Sequence, residues 1–121
     1  MRIVVTGETE IVVGPAPHLE IEEEGDAHFS PLHMLAASLA TCTVAALASW
    51  ADAVGLELEG LELRLRWTYV EKPYRVGEYG MDITWPALPE ERLDRARRVA
   101  EACTVHHTLT HPPAIEIGFG D

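Results

Sequence analysis

The segment SPLHMLAASLATCTVAALASWAD, residues 30–52, decides the fold, because residues 34–51 carry no charge in a strongly acidic chain. Ser30 is a favourable N-cap and Pro31 suits the first helical position, so we predict that a long helix begins here. Gly55 is predicted to end it. Because a helix that is apolar on nearly every face is typically buried in protein, this helix is expected at the centre of the fold.

A membrane-spanning helix is the alternative for this segment, and its composition disfavours that reading. The segment is rich in Ala, Ser and Thr, its apolar run is at the short limit for a bilayer, and no basic anchors flank it. A helix that is apolar all round needs cover on all sides, whereas one small sheet covers a single face. A second copy of the chain is the simplest cover, so we predict a homodimer without membrane contact.

Strand patterns precede the long helix. The short β-branched runs at residues 2–6 and 10–13 predict a hairpin with TGET as its turn. The following segment HLEIEEEGD predicts a third strand, in which Leu19 and Ile21 face the core and the carboxylates face water.

Strand patterns also follow the long helix. Residues 61–70 alternate strictly, and so does the segment EYGMDITW at residues 78–85. The segment EKPYRVGEYG between them predicts a turn or a longer hairpin loop. Tight hairpins of this kind favour an antiparallel sheet over a doubly wound parallel one.

The remaining elements complete the predicted order. A second helix is predicted to begin at Pro89, with Cys103 on its inner stripe. The segment TVHHTLTH predicts a short further helix, and AIEIGF predicts a last strand. The order βββ-α-ββ-α-(α)-β describes an α+β fold in a single domain over residues 1–121.

Composition excludes several classes of partner. The formal net charge is −11, so nucleic acid and anionic membrane surfaces are not expected partners. Two cysteines are too few for a disulfide-stapled secreted scaffold. The first residues, MRIVVTGETEIVVG, lack the pattern of a signal peptide, and we expect a cytoplasmic protein with reduced thiols.

Cys42 and Cys103 are the candidate reactive groups, because a thiolate is a strong nucleophile. Cys42 is predicted in mid-helix, where no helix terminus assists it. Cys103 meets a helix N-terminus only if a new helix begins at Thr104. From spacing alone, the alternative that both are small, inert core residues stays open.

The histidines beside these cysteines permit a metal alternative. His106 and His107 closely follow Cys103, and His33 lies one turn into the long helix. Cysteine and histidine are zinc ligands, but no CxxC pair is present and the signal is weak. We therefore expect no bound metal, and a Cys/His metal-binding module is the least favoured function.

The two cysteine segments resemble those of the OsmC/Ohr family of osmotically induced and organic hydroperoxide resistance proteins. In the family pattern, a cysteine follows a proline by eleven residues in an Ala-rich helix, as Cys42 follows Pro31 here. A basic helix then ends in Cys-Pro-Val with a leucine shortly after, and Cys103, Val105 and Leu109 match these positions. The resemblance covers most of the chain, from residue 29 onward.

The resemblance implies an intertwined homodimer with the two long helices at its centre. It also implies a two-cysteine thiol peroxidase that reduces alkyl or fatty-acid hydroperoxides, with Cys42 peroxidatic and Cys103 resolving. No bound cofactor is implied, and an external dithiol of the lipoyl type resets the enzyme. The residues that this resemblance and the sequence together suggest near the substrate are Leu32, His33, His106 and His107.

Other positions depart from the family pattern. Peroxidase members hold the thiolate with an N-terminal arginine and with a glutamate just after the proline. Here those glutamate positions are Leu32 and His33, and Arg2 is the only arginine before residue 64. A non-peroxidase stress or ligand-binding member of the same fold is therefore the alternative. Cations that could replace the family arginine are Lys72, Arg75, His106 and His107.

Overall fold

A computed structural model of the protein describes residues 1–120. Within these residues the chain forms five strands and three α-helices. The strands are β1 (Arg2–Gly7), β2 (Glu10–Gly14), β3 (Glu20–Glu23), β4 (Glu62–Val70) and β5 (Arg75–Thr84). The helices are α1 (Pro31–Val54), α2 (Leu93–Glu101) and α3 (Thr104–Thr110). The strands form one mixed sheet in the order β3-β1-β2-β4-β5, which confirms the predicted α+β class.

The core lies between one face of the sheet and α1. Alternate residues of β1, β2 and β4 point at the helix, as their period of two predicts. The largest fully buried side chains come from both layers and are Val5, Ile11, Val13, Val44, Leu47, Leu63 and Leu65. The central part of the fold therefore follows directly from the pattern of apolar residues.

The sheet is not wholly antiparallel, and this prediction was wrong at β3. Strand β3 runs parallel to β1, with Ile21 opposite Ile3. The cause is the connection after β2, which crosses the start of β1 before β3 begins. The terminal ammonium of Met1 donates to the carbonyls of Ala16 and His18 at 3.0 and 3.2 Å, which fixes that crossing.

Leu19 and Ile21 do not face the core as predicted. They are 69% and 45% exposed. Helix α1 packs on β2 and β4, and its cover does not extend to β3 at the edge of the sheet. The apolar side chains Leu19 and Ile21 therefore have no second layer to pack against within residues 1–120.

The prediction that AIEIGF forms a last strand is also wrong for residues 1–120. Residues 114–119 are outside any helix or strand and pair with no strand of residues 1–120. Their apolar side chains are open to solvent, with Ile115, Ile117 and Phe119 exposed by 82%, 83% and 95%. A strand needs a partner for its backbone hydrogen bonds, and this segment has found none within its own chain.

Helix α1 begins and ends as predicted. Ser30 is the N-cap, Pro31 follows it, and Gly55 closes the helix in the left-handed conformation with φ 74°. By length and composition this helix could cross a membrane, with a mean hydropathy of 1.6, but a core helix passes the same test, and 44% of its apolar window is buried here. Its other side forms an open stripe of apolar and small residues, which are Met34, Leu35, Ser38, Ala45 and Ser49.

The second helix starts later and ends earlier than predicted. Pro89 precedes a single 3-10 turn over Glu90–Arg92, and α2 follows from Leu93. Helix α2 stops at Glu101, before Cys103. A new helix, α3, then begins at Thr104, which confirms the short further helix.

Candidate thiol site

Cys42 lies in the middle of α1 and is half-buried against the core. Leu35, Leu39 and Cys42 are spaced i, i+4 and i+7, so the three side chains share one side of the helix. That side borders the open stripe of α1. The thiol of Cys42 is therefore sheltered by apolar packing without being closed off on every side.

Cys103 is buried, with 4% of its surface exposed. It lies at the junction of α2 and α3 and is the N-cap of α3 in an extended conformation. Its Sγ accepts a hydrogen bond from the backbone N–H of His106 at 3.3 Å. The condition set by the sequence, a new helix beginning at Thr104, is met, and this helix end supplies a donor to the sulfur.

The two thiols lie near each other and are not joined by a disulfide. Thr43, the next residue after Cys42, connects their surroundings. Its hydroxyl donates to the carbonyl of Leu39 at 2.8 Å and lies 3.8 Å from Cys103 Sγ. The side chain of Thr43, the neighbour of Cys42 in the sequence, is thus in van der Waals contact with the N-cap thiol of α3.

An apolar groove of about 630 Å³ opens between α1, β5 and α3, and neither cysteine is among its lining residues. The apolar residues that line it are Leu32, Leu35, Leu39, Tyr74, Val76, Tyr79, Met81 and Leu109. Its charged lining residues are Arg75 and Glu78, and the ring of His106 lies on its α3 side. The groove has the size and lining of a small-molecule site.

A second groove of about 540 Å³ continues along the same side of α1. It shares Met81 and His106 with the first groove and reaches Leu47 of α1. His106 thus lies beside α1 between Leu39 and Leu47, and Cys42 is among the lining residues of neither groove. Of the proposed substrate-site residues, Leu32 and His106 line a groove, whereas His107 is exposed on α3.

Arg2 near the N-terminus and Arg75 in the β4–β5 hairpin are both bound by other groups of the chain. Arg2 pairs with Glu22 at 2.8 Å on the outer, solvent-facing side of the sheet, and this carboxylate raises the pKa of the guanidinium. Arg75 donates to the backbone carbonyls of Pro73 and Glu71 at 2.8 and 3.4 Å. Arg2 therefore lies on the opposite side of the sheet from α1.

His33 joins the start of α1 to the sheet. Its Nδ1 accepts from the backbone N–H of Ser30 at 3.3 Å and lies 2.6 Å from the Ser30 hydroxyl. Its Nε2 donates to the carbonyl of Gly7 at 2.9 Å, and its ring meets Trp67 edge-on. Both ring nitrogens are thus used in packing, with 3% of the residue exposed, and the imidazole does not face the groove.

Replacing His33 with Ala is expected to lower the free energy of unfolding by about 2–4 kcal/mol. The change leaves a cavity and removes the partners of Ser30 and of the Gly7 carbonyl. Urea denaturation followed by circular dichroism measures the effect. His28→Ala is the matched control, because His28 is exposed in the preceding loop, and it should change stability by no more than about 0.5 kcal/mol. Equal stabilities of the two variants would contradict the structural role of His33.

Tyr79 is a groove residue that the sequence did not single out. Its hydroxyl is buried and has no hydrogen-bond partner among residues 1–120. Burial, and to a smaller extent the charge of Tyr69, raises the pKa of the Tyr79 phenol, so the hydroxyl keeps its proton. The Tyr79 side chain thus lines the groove while its hydroxyl is enclosed and unpartnered among residues 1–120.

Comparisons with known proteins complete the description of the site. A family model described as OsmC-like protein matches residues 23–118. A solved structure from Psychrobacter arcticus 273-4, named for osmotic stress induced and detoxification response proteins, shares the fold with a TM-score of 0.63. The two chains are 21% identical, and the alignment covers 88% of this chain and 84% of the other. No curated protein matches the chain.

Proposed function

This chain belongs to the OsmC-like protein family, and we propose that it is a thiol-dependent peroxidase that reduces organic hydroperoxides with Cys42 and Cys103. The observation that carries the proposal is the nearness of the two free thiols, with Cys103 Sγ 3.8 Å from the hydroxyl of Thr43, the residue after Cys42. Two neighbouring free thiols beside an apolar groove suit a reaction in which one sulfur is oxidised and the other resolves it.

In the proposed reaction, the thiolate of Cys42 attacks the terminal oxygen of the hydroperoxide. The O–O bond breaks, the Cys42 sulfur becomes a sulfenic acid, and the organic product leaves as an alcohol after taking up a proton. The Cys103 thiol then attacks the sulfenic sulfur, releases water and forms a disulfide. An external dithiol of the lipoyl type restores both thiols by exchange, which fits a protein of the reducing cytoplasm.

The groove supports an organic rather than a purely inorganic peroxide as substrate. Leu32, Leu35 and Leu39 of α1 provide an apolar wall for an alkyl or fatty-acid chain. His106 borders the same wall and is the candidate proton acceptor of the proposed reaction.

A homodimer is part of the proposal. The open stripe of α1 includes Met34, exposed by 60%, and the tail carries Ile117 and Phe119, exposed by 83% and 95%. A second copy would cover the stripe, and exchanged tails would give each unpaired AIEIGF segment a strand partner. Such an intertwined pair would place the two Cys42 helices together.

A non-peroxidase, ligand-binding member of the family is the second candidate. The observation that favours it concerns the residues at the positions where peroxidase relatives carry the glutamate and the arginine that hold the thiolate. His33 is locked into the cap of α1, Leu32 is apolar, and Arg2 pairs with Glu22 on the far side of the sheet. A Cys/His metal module receives no such support, since residues 1–120 contain no group of three or more potential ligands.

The test is the consumption of cumene hydroperoxide by the purified, reduced protein with dihydrolipoamide as electron donor. The proposal predicts steady turnover, with loss of both thiol groups after a peroxide pulse without donor. An equimolar sample whose thiols were first alkylated serves as the blank. If the reduced protein consumes no more peroxide than this blank, the peroxidase proposal is wrong and the ligand-binding candidate takes its place.

A further inference from the structure

The end of α3 carries two histidines at helical spacing. His107 and His111 are four residues apart in the segment HTLTH, and both are exposed. Their ring centroids lie 6.2 Å apart, with the rings tilted by 53°. His111 is the C-cap that follows α3, with φ −130° and ψ 70°, so the nearness of the two rings rests on the observed ring distance. Paired histidines at i and i+4 occur in helical zinc sites.

The hydrogen bonds of His111 fix which of its nitrogens is free. Its Nδ1 lies 3.1 Å from the carbonyl oxygen of His107, and a carbonyl can only accept. The proton of the neutral ring is therefore on Nδ1, and the lone pair of Nε2 is free. Histidines that bind metals characteristically donate their second ring nitrogen to a carbonyl or carboxylate in this way.

We propose that His107 and His111 form a two-imidazole site for a divalent transition metal such as Ni²⁺, Cu²⁺ or Zn²⁺. Imidazole nitrogen favours these ions over Mg²⁺ and Ca²⁺, which prefer oxygen ligands. Water would fill the remaining positions, because the site is exposed. The net charge of −11 increases the local concentration of cations.

The site is separate from the thiols and from the proposed peroxidase reaction. His106, whose ring centroid is also 6.2 Å from that of His107, lines both grooves beside α1, so its ring is not assigned to the metal. A metal held by His107 and His111 would clamp the last turn of α3. Since Cys103 is the N-cap of this helix, metal binding would stabilise the element that positions the buried thiol.

Isothermal titration of the untagged, reduced protein with Ni²⁺ tests the proposal. We expect one ion per chain, and His107→Ala and His111→Ala should each weaken binding by about tenfold or more. His28→Ala is the matched control, because it removes an exposed imidazole that lies outside α3, and it should bind as the parent does. Both residues are exposed, so the two variants are expected to fold, and circular dichroism verifies this.

Two results would overturn the inference. One is Ni²⁺ binding that is unchanged in both His107→Ala and His111→Ala. The other is binding that these variants keep and Cys42→Ser loses, which would place the ion at the thiol instead. Neither result bears on hydroperoxide consumption, so the metal site and the peroxidase are tested independently.

Discussion

Replacing Cys42 with Ser is expected to lower the rate of cumene hydroperoxide consumption by roughly a thousandfold or more. The change replaces a sulfur nucleophile by a hydroxyl of similar size, and a serine hydroxyl is too weak a nucleophile to take the terminal peroxide oxygen at a comparable rate. The side chain is half-buried and the change alters a single atom, so the variant should fold. The initial rate of peroxide loss with dihydrolipoamide present measures the effect.

Cys103→Ser is the matched comparison, because it makes the same atomic change at the other thiol. Cys42 would still react once, and without a resolving thiol its sulfenic acid should persist long enough to be trapped by dimedone. Mass spectrometry of the trapped protein identifies the modified cysteine. Equal rates for parent and Cys42→Ser would contradict the assignment, as would dimedone labelling that appears on Cys103 in the parent protein.

The two cysteines entered the hypothesis through family spacing, because the residues alone favoured inert core cysteines. The structure adds what local sequence could not supply for Cys103. Its role as the N-cap of α3 depends on α2 ending at Glu101, before the sulfur. That boundary follows from how α2 and α3 pack on α1, and helix ends set by tertiary packing are poorly encoded in a short segment.

The features predicted correctly have local causes. The caps of α1 at Ser30 and Gly55 are side-chain and backbone preferences of single residues. The alternation of β4 requires only that one face be buried. In contrast, the parallel β3 depends on a loop held by the ammonium of Met1, nineteen residues before Glu20, and no periodic pattern reports such a contact.

The residues predicted near the substrate show the same difference between local and long-range causes. Leu32 was predicted near the substrate from its place after Pro31, and it lines the groove. His33, one residue further, turns to the sheet instead, because the Gly7 carbonyl of β1 lies 2.9 Å from its Nε2. Tyr79 belongs to an alternating strand and was assigned only to a face, since a missing hydrogen-bond partner is visible only in three dimensions.

Replacing Ala45 with Arg is expected to convert a homodimer into a monomer at micromolar concentration. Ala45 is exposed in the described chain and lies near the centre of the open stripe of α1. Small residues such as Ser38, Ala45 and Ser49 permit close approach of two helices, and a guanidinium there would add bulk and an unpaired charge to the contact. Sedimentation velocity of parent and variant measures the change.

Thr68→Arg is the control, since it adds the same side chain on the outer, exposed face of β4, and it should leave the dimer intact. A monomeric parent, or a variant that dimerises as tightly as the parent, would show that α1 packs against no second copy. Because Cys42 lies one turn before Ala45 on α1, opening this contact should also admit water to the thiol. Hydroperoxide turnover is therefore expected to fall in Ala45→Arg and not in Thr68→Arg, which would link the dimer contact to the chemistry beside it.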